Sequence, residues 1–386
     1  MATTHIFIVD TTTFKYHLEY LFVGTGAKDA VIDFNANSAS RLPAQTENNL
    51  VSMIADSQRV REGDFVIFYL QQNISQGVYD GKFYGIFKVG DDLSFLDNNT
   101  RDQFLRDKLN KSLTFRAIVE PYKVYAQGVT EWEALDEIRY IKSPNQMLWS
   151  LIYRKLKGNR GNTMITIYES ERLVRLLSNK NQRGTLGGQK FTYDAGVQEI
   201  KKDTASHSYT GHKTDIDVLP RLISKYDRGL AFESHLQAYI VQNVGRGTNK
   251  SLDDSLINNG FNIEWIGNEV SCGVGMQRID VALSLVQDDQ RVIVPLELKA
   301  VTADSKNIVQ IQRYIDWLEQ YYIPNRDSDI QPVLVAKKNV KKTSASYKGL
   351  VRAIKDFNRV NGNWFPLKYV EYELKNNTLK FEIINY

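Results

Sequence analysis

The sequence predicts two joined domains: an α+β domain at the N-terminus, built on a small curled sheet or β-barrel, and an α/β domain at the C-terminus with a mixed central sheet. Three observations lead there. The chain has 386 residues, more than one hydrophobic core usually serves. Its composition, 42% apolar and 24% charged, is that of an ordinary globular protein. The hydrophobic pattern also changes along the chain, from short alternating strands around a few helices to a helix–strand–strand–helix–strand succession. The expected boundaries are 1–177 for the first domain, 178–228 for a linker or extended loop, and 229–386 for the second domain.

In the first part, "THIFIVD" reads as a strand and "ENNLVSMIADSQRV" as a helical connector. A turn at Gly63–Asp64 opens the strand "FVIFYLQQ", and "GKFYGIFKVGD" repeats its pattern, so the two are expected to lie side by side or as a hairpin. "FRAIVEPYKVYAQGV" adds a strand with a turn at Glu120–Pro121. "NQMLWSLIYRKLKGNRGN" reads as an amphipathic helix with Met147, Leu148, Leu151, Ile152 and Leu156 on one stripe and Gly158 as its stop. From 178 to 228 the composition turns to Gly, Asn, Gln and Lys with little periodicity, the signature of a loop.

The C-terminal part begins with a helix in "GLAFESHLQAYIVQNV", followed by two strands in "RIDVALSLVQDDQRVIVPLELKAV". "DSKNIVQIQRYIDWLEQYY" is a helix capped by Asp304 or Ser305, with Ile308, Ile311, Ile315 and Leu318 as its buried stripe. "QPVLVAK" is a strand and "SYKGLVRAIKDFNRV" a helix. The chain closes as a β-hairpin around Asn376–Asn377.

Net charge is +4 and the pI about 8.8, which permits a polyanionic partner without demanding one. The single cysteine, Cys272, excludes an internal disulfide and every multi-cysteine zinc site, and suits a reducing, cytoplasmic setting. No basic start with an apolar core marks a secretory signal, and no apolar run is long enough to span a membrane. His207 and His212 fall in the loop-like stretch and read as surface residues.

Chemistry concentrates at the two central strands. Alternation puts Val292, Val294, Leu296 and Leu298 on one side and Glu297 with Lys299 on the other. Asp280 projects away from Ile279, Val281, Leu283 and Leu285, so a hairpin brings the three charged groups together. Two carboxylates suit a hard cation such as Mg2+, with Mn2+ as a substitute. A lysine beside them orients or helps deprotonate an attacking water, or neutralises charge developing at phosphorus. That set performs phosphodiester hydrolysis.

Asp, a hairpin, then Glu-x-Lys resembles the PD-(D/E)xK nuclease superfamily. Within it, "RIDVAL…VIVPLELKAV…NIVQIQRYIDWL" is most similar to the RecB-like branch and its NucS-type nuclease domain, over roughly Leu230 to Lys337. The resemblance implies that Asp280, Glu297 and Glu233 hold the metal and that Lys299 is the catalytic lysine. It also assigns Gln310 and Tyr314, on one helix face, to a Gln-x-x-x-Tyr motif that steadies the ligands or touches DNA. Pro295 departs from the pattern and predicts a bulge or a sheet edge. The span from Asp280 to Glu297 is also longer than is usual for the NucS type.

"REGDFVIFYLQQ…GKFYGIFKVGDD", across residues 5 to 170, resembles the EVE and YTH branch of PUA-like domains, which implies a nucleic-acid reader with an aromatic pocket for a flipped base. Trp132, Trp149, Tyr69 and Tyr84 are the candidate walls. Arg154, Lys155, Lys157 and Arg160, and Lys337 and Lys338 with Lys341 and Lys342, are candidate contacts to DNA backbone. With no ATPase motif of the G-x-x-x-x-G-K-[ST] kind, the combined expectation is a Mg2+-dependent DNA endonuclease of restriction type, acting on double-stranded DNA at a specific or modified site, as a homodimer. The rivals are a mismatch or branched-DNA repair endonuclease and a non-catalytic nucleic-acid-binding module.

Overall fold

The computed structural model describes residues 2–26, 44–90, 93–97, 102–135, 142–146, 148, 161–205, 207–272 and 277–386. The chain divides into two compact units, one of Ala2–Asp33 with Asp56–Ile216, the other of Phe34–Ala55 with Asp217–Tyr386.

The first unit holds β1 (Thr4–Val9), α1 (Thr11–Tyr20) and β2 (Phe22–Thr25). The helix α2 (Ala44–Gln58) begins in the other grouping and leads back to β3 (Phe65–Leu70), β4 (Lys82–Val89), β5 (Phe95–Leu96), α3 (Arg106–Leu109), β6 (Phe115–Pro121), β7 (Val129–Thr130), α4 (Glu131–Leu135), β8 (Asn162–Ile165), α5 (Ile167–Lys180), β9 (Phe191–Asp194) and β10 (Glu199–Lys202). The sheet runs β2-β6-β4-β3-β1-β8, with β1 and β3 parallel and the other pairs antiparallel. It is mixed and curls into a half-barrel. One cause of the curl is visible in β3 and β4, whose register slips between Val66 and Phe68 opposite Gly85. Gly85 sits at φ +128°, where a side chain is strained, so the bulge takes the one residue that tolerates it.

Alternation fills both faces of this sheet. Phe7, Val9, Phe68, Leu70, Tyr84 and Phe87 pack on one side, with Phe14 and Leu18 of α1. Ile6, Ile67, Tyr69, Phe83 and Ile86 pack on the other, with Leu173 and Leu177 of α5. Helix α1 begins on a capping box in which Asp10 accepts from the Thr13 backbone at 2.7 Å.

Two expectations change here. The stretch 178–228 is not simply a linker. It carries the end of α5, the β9–β10 hairpin and the helix Leu219–Asp227, and Phe191, Tyr193 and Ile200 are buried in the first core. Strands of four residues with so few inward side chains are lost against a polar composition. The Glu120–Pro121 turn lies inside the end of β6. Most of the amphipathic helix expected around Leu148 falls outside the described residues.

The second unit contains α6 (Leu219–Asp227), α7 (Glu233–Asn243), α8 (Lys250–Leu256), β11 (Asn262–Ser271), β12 (Arg278–Gln287), β13 (Gln290–Lys299), α9 (Ser305–Trp317), β14 (Asp329–Ile330), β15 (Val333–Lys337), α10 (Ala345–Val360), β16 (Lys368–Lys375) and β17 (Thr378–Ile384). Its sheet runs β11-β12-β13-β15-β16-β17, with β14 also against β13. The first three strands form an antiparallel meander, β13, β15 and β16 are parallel, and β17 returns antiparallel. Asn376 and Asn377, both at positive φ, make the closing turn. Asp304 caps α9, and Ile308, Ile311, Ile315 and Leu318 are all buried.

Pro295 makes neither a bulge nor an edge. The register between β12 and β13 is unbroken from Val281–Leu296 to Gln287–Gln290. On its other side β13 pairs with β14 through Val292 and Ile293, then with β15 from Leu296 onward. Val294 and Pro295 fall between those two ladders, where a residue without an N–H is tolerated inside a central strand.

Candidate active site

The site sits where β12 and β13 part and is built from α7, β12, β13 and α9. Asp280 Oδ2 accepts the Leu298 N–H at 2.8 Å, which ties the first strand's carboxylate to the second strand's backbone. Glu297, 0% exposed, has one oxygen 2.6 Å from Lys299 Nζ and the other 2.5 Å from the Tyr314 hydroxyl. That hydroxyl accepts from Gln310 Nε2 at 2.8 Å, so Gln310 and Tyr314, one turn apart on α9, act in series on Glu297. The Arg278 carbonyl is a further acceptor 2.8 Å from the same hydroxyl. The Glu297 carboxyl oxygen, at the shorter distance, is the stronger claimant for its single proton. From α7, Glu233 Oε1 lies 3.5 Å from Lys299 Nζ, and Oε2 faces the Ala300 N–H at 3.4 Å.

Burial, then the Glu297 charge, pushes the Asp280 carboxyl well above the usual range. Burial raises Glu297 too, although Lys299 and Tyr314 pull it back. Burial opposes the charge on Lys299, but Glu297 outweighs it and holds its pKa up. Lys299 is therefore a held cation here, not a base. Cys272 is pushed up to about 12 by burial and by the two carboxylates, which leaves it an inert thiol.

Among the described residues no three of His, Cys, Asp and Glu form a ready metal-ligand group. Asp280 and Glu297 nonetheless fit a divalent cation. They are a half-buried and a fully buried carboxylate, eased by the Leu298 N–H, Tyr314 and Lys299, and a hard cation that keeps several of its own waters needs no more from the protein.

Two supporting residues escaped the sequence reading. Gln237 donates to the Asp280 carbonyl at 2.8 Å, and Tyr372 donates to the Lys299 carbonyl at 3.1 Å. Gln237 lies four residues after Glu233, on the same face of α7, and that spacing was the signal available. A third group lies deeper. Glu47 of α2 accepts from Arg221 Nε at 2.6 Å and Nη2 at 3.1 Å, stands 3.1 Å from Lys225 Nζ, and meets His235 Nε2 at 3.0 Å. Burial alone would raise Glu47, but Arg221 and Lys225 hold it at about 2. Burial, then the Lys225 charge, pushes His235 down to about 4, so it is neutral and the two cations answer Glu47. This cluster fixes α6 against the first turns of α7, the helix that carries Glu233 and Gln237.

The other expected residues are not gathered into one place. Tyr69 and Tyr84 belong to the two cores of the first unit, with hydroxyls bonded to Glu131 at 2.5 Å and to the Gln198 carbonyl at 2.7 Å, so neither ring walls an open pocket. Trp132 is 54% exposed and donates to Asp80. Trp149, Arg154, Lys155, Lys157 and Arg160 lie outside the described residues. Lys337 stands over the Tyr226 ring at 3.9 Å, and Lys338 is paired with Glu373 at 2.9 Å. His207 and His212 are exposed.

No family model matches this chain, and no curated protein does. Among solved structures, human THYN1 protein in complex with DNA containing 5-methylcytosine is similar at 9% identity and a TM-score of 0.26, over 45% of this chain and 97% of that one. Pyrococcus furiosus SfsA in complex with Ca2+ is similar at 12% identity and a TM-score of 0.20, over 52% of this chain and 72% of that one. Likenesses this distant carry no argument about the present chain.

Proposed function

We propose that this chain is a Mg2+-dependent DNA endonuclease of restriction type, with a PD-(D/E)xK-like active site at Asp280, Glu297 and Lys299 and a PUA-like N-terminal unit for recognition. The observation that carries the reading is the convergence of the half-buried Asp280 and the buried Glu297 beside a lysine held as a cation, at the parting of two paired strands. Asp280 and Glu297, with Glu233 at the margin, would hold the cation, which when bound polarises the scissile phosphate and acidifies water. The Leu298 N–H keeps Asp280 turned inward, and Tyr314 with Gln310 keeps Glu297 from rotating away. Lys299 stands ready to neutralise charge as the phosphorus–oxygen bond to the leaving group breaks. Cutting both strands takes two such sites, so a homodimer completes the proposal.

The test is cleavage of unmodified, cytosine-methylated, hydroxymethylated, mismatched and branched duplexes, with Mg2+ or with EDTA, by wild type and Lys299→Ala. Discrete fragments from wild type with Mg2+ alone are expected. Preference for mismatched or branched duplexes would move the role to repair. No cleavage of any duplex, with equal binding by both proteins, would overturn the nuclease reading.

A further inference from the structure

Strands β13 and β15 are parallel neighbours, with Lys299 opposite Ala336, so both end at the same edge of the sheet. In open α/β sheets that carboxyl edge is where ligands bind. The chain leaving β15 there runs "KKNVKK", from Lys337 to Lys342. Its entrance is bonded to the catalytic strand's own exit, since the Lys337 N–H donates to the Val301 carbonyl at 3.1 Å. The Lys338 N–H donates to the carbonyl of Tyr372, whose hydroxyl holds the Lys299 carbonyl.

The turn is then strapped from beneath. Glu371 on β16, nearly wholly buried, accepts the Asn339 N–H at 3.2 Å and pairs with Lys342 Nζ at 3.2 Å. Lys338 is pinned to Glu373. Asn339 is buried, and its side chain accepts the Lys341 N–H at 2.8 Å. What this scaffold lifts clear is Val340, 85% exposed and the most exposed large apolar side chain among the described residues. Beside it stands Lys341, whose ammonium has no ion pair among the described residues. A loop free to relax would turn a valine inward. Here two buried groups and two of its four lysines are committed to holding it out.

We propose that this turn is a DNA-facing tip: Val340 packs into a groove of duplex DNA while Lys341 meets the adjacent phosphate, which places the duplex across the carboxyl edge that carries Lys299. The inference rests on the nuclease reading above. A small apolar side chain in a groove beside a phosphate-bound cation is how proteins grip DNA without reading many bases. It also separates the lysines of the segment, making Lys341 the contact and Lys338 and Lys342 the struts.

The experiment is anisotropy of a labelled duplex with the full chain in EDTA, which prevents cleavage, across a range of salt concentrations. Lys341→Ala is expected to lower the slope of log affinity against log salt by about 0.9, the release from one phosphate, and Lys341→Arg to restore it. Val340→Ala is expected to weaken binding about tenfold with the slope unchanged, from the lost apolar contact. Val360→Ala removes another exposed valine, at the far end of α10, a helix about 24 Å long, and is expected to change nothing. Wild-type binding to DNA with Val340→Ala and Lys341→Ala both unchanged would overturn the tip alone. Tighter binding to an RNA duplex of the same sequence would overturn DNA as the occupant. No binding by wild type at any salt would overturn the nuclease reading and the tip with it.

Discussion

Glu47→Gln makes the sharpest demand on the second unit. The side chain is 2% exposed and forms a two-point pair with Arg221, with Lys225 on one oxygen and the neutral His235 on the other. Glutamine keeps the shape and one acceptor but removes the only negative charge among those four side chains. Arg221 and Lys225, themselves buried, are then left facing each other. Removing one partner of a buried pair costs about 3–5 kcal/mol, because the surviving charge cannot return to water. For a unit of this size each kcal/mol is worth about 2–4 °C, so a fall in Tm of roughly 6–20 °C is expected. Urea and thermal unfolding of the full chain measure it. Lys250→Ala, which breaks the exposed pair with Asp254, is the matched control and should shift stability by less than about 0.5 kcal/mol. A loss below about 1 kcal/mol for Glu47→Gln would refute the reasoning, since it would mean that water screens the cluster as it does a surface pair.

His17 is enclosed by Phe22 and Phe68, and burial, then the Arg116 charge, pushes it down to about 3. The folded state therefore binds fewer protons than the unfolded one between pH 6.5 and 3. Its contribution is complete above pH 6.5 and is lost as pH falls through that window, at roughly 1.4 kcal/mol per pH unit. His17→Gln should flatten that part of the stability profile, and an unchanged profile would count against it. Asp280→Asn removes one of two repelling carboxylates, so it should raise Tm in EDTA and abolish the rise that Mg2+ gives wild type, about 2.7 kcal/mol at a hundredfold excess over Kd. A wild-type Tm indifferent to Mg2+ and Ca2+ would count against a cation at this site.

What the sequence made legible is what short-range periodicity encodes. Asp280, Glu297 and Lys299 come together because period-two alternation on a hairpin leaves no other register that buries Ile279, Val281, Leu296 and Leu298. The cap at Asp304 and the turn at Asn376–Asn377 were local for the same reason. The Glu47 cluster was not legible, because its partners lie at Arg221, Lys225 and His235 and nothing in a polar helix turn announces a distant cation. Tyr69 and Tyr84 misled because strand aromatics look alike whether they face a core or a pocket, and only packing distinguishes them. Lys338 and Lys342 read as free charge because their partners, Glu373 and Glu371, lie on a strand about thirty residues further on.

The position of α2 has a consequence in time. Glu47 leaves the ribosome roughly 190 residues before His235, and at about 5–20 residues per second that is an interval of about 10–40 s. The meander of β11, β12 and β13 and the β16–β17 hairpin join neighbours in sequence and can form as they emerge. Leu50, Val51 and Ile54 of α2, buried in the finished protein, belong to a stretch grouped with residues made later. The first helix of this unit to be synthesised is thus among the last to be seated, and slower translation between the two segments lengthens the period in which its apolar face stands open to other chains.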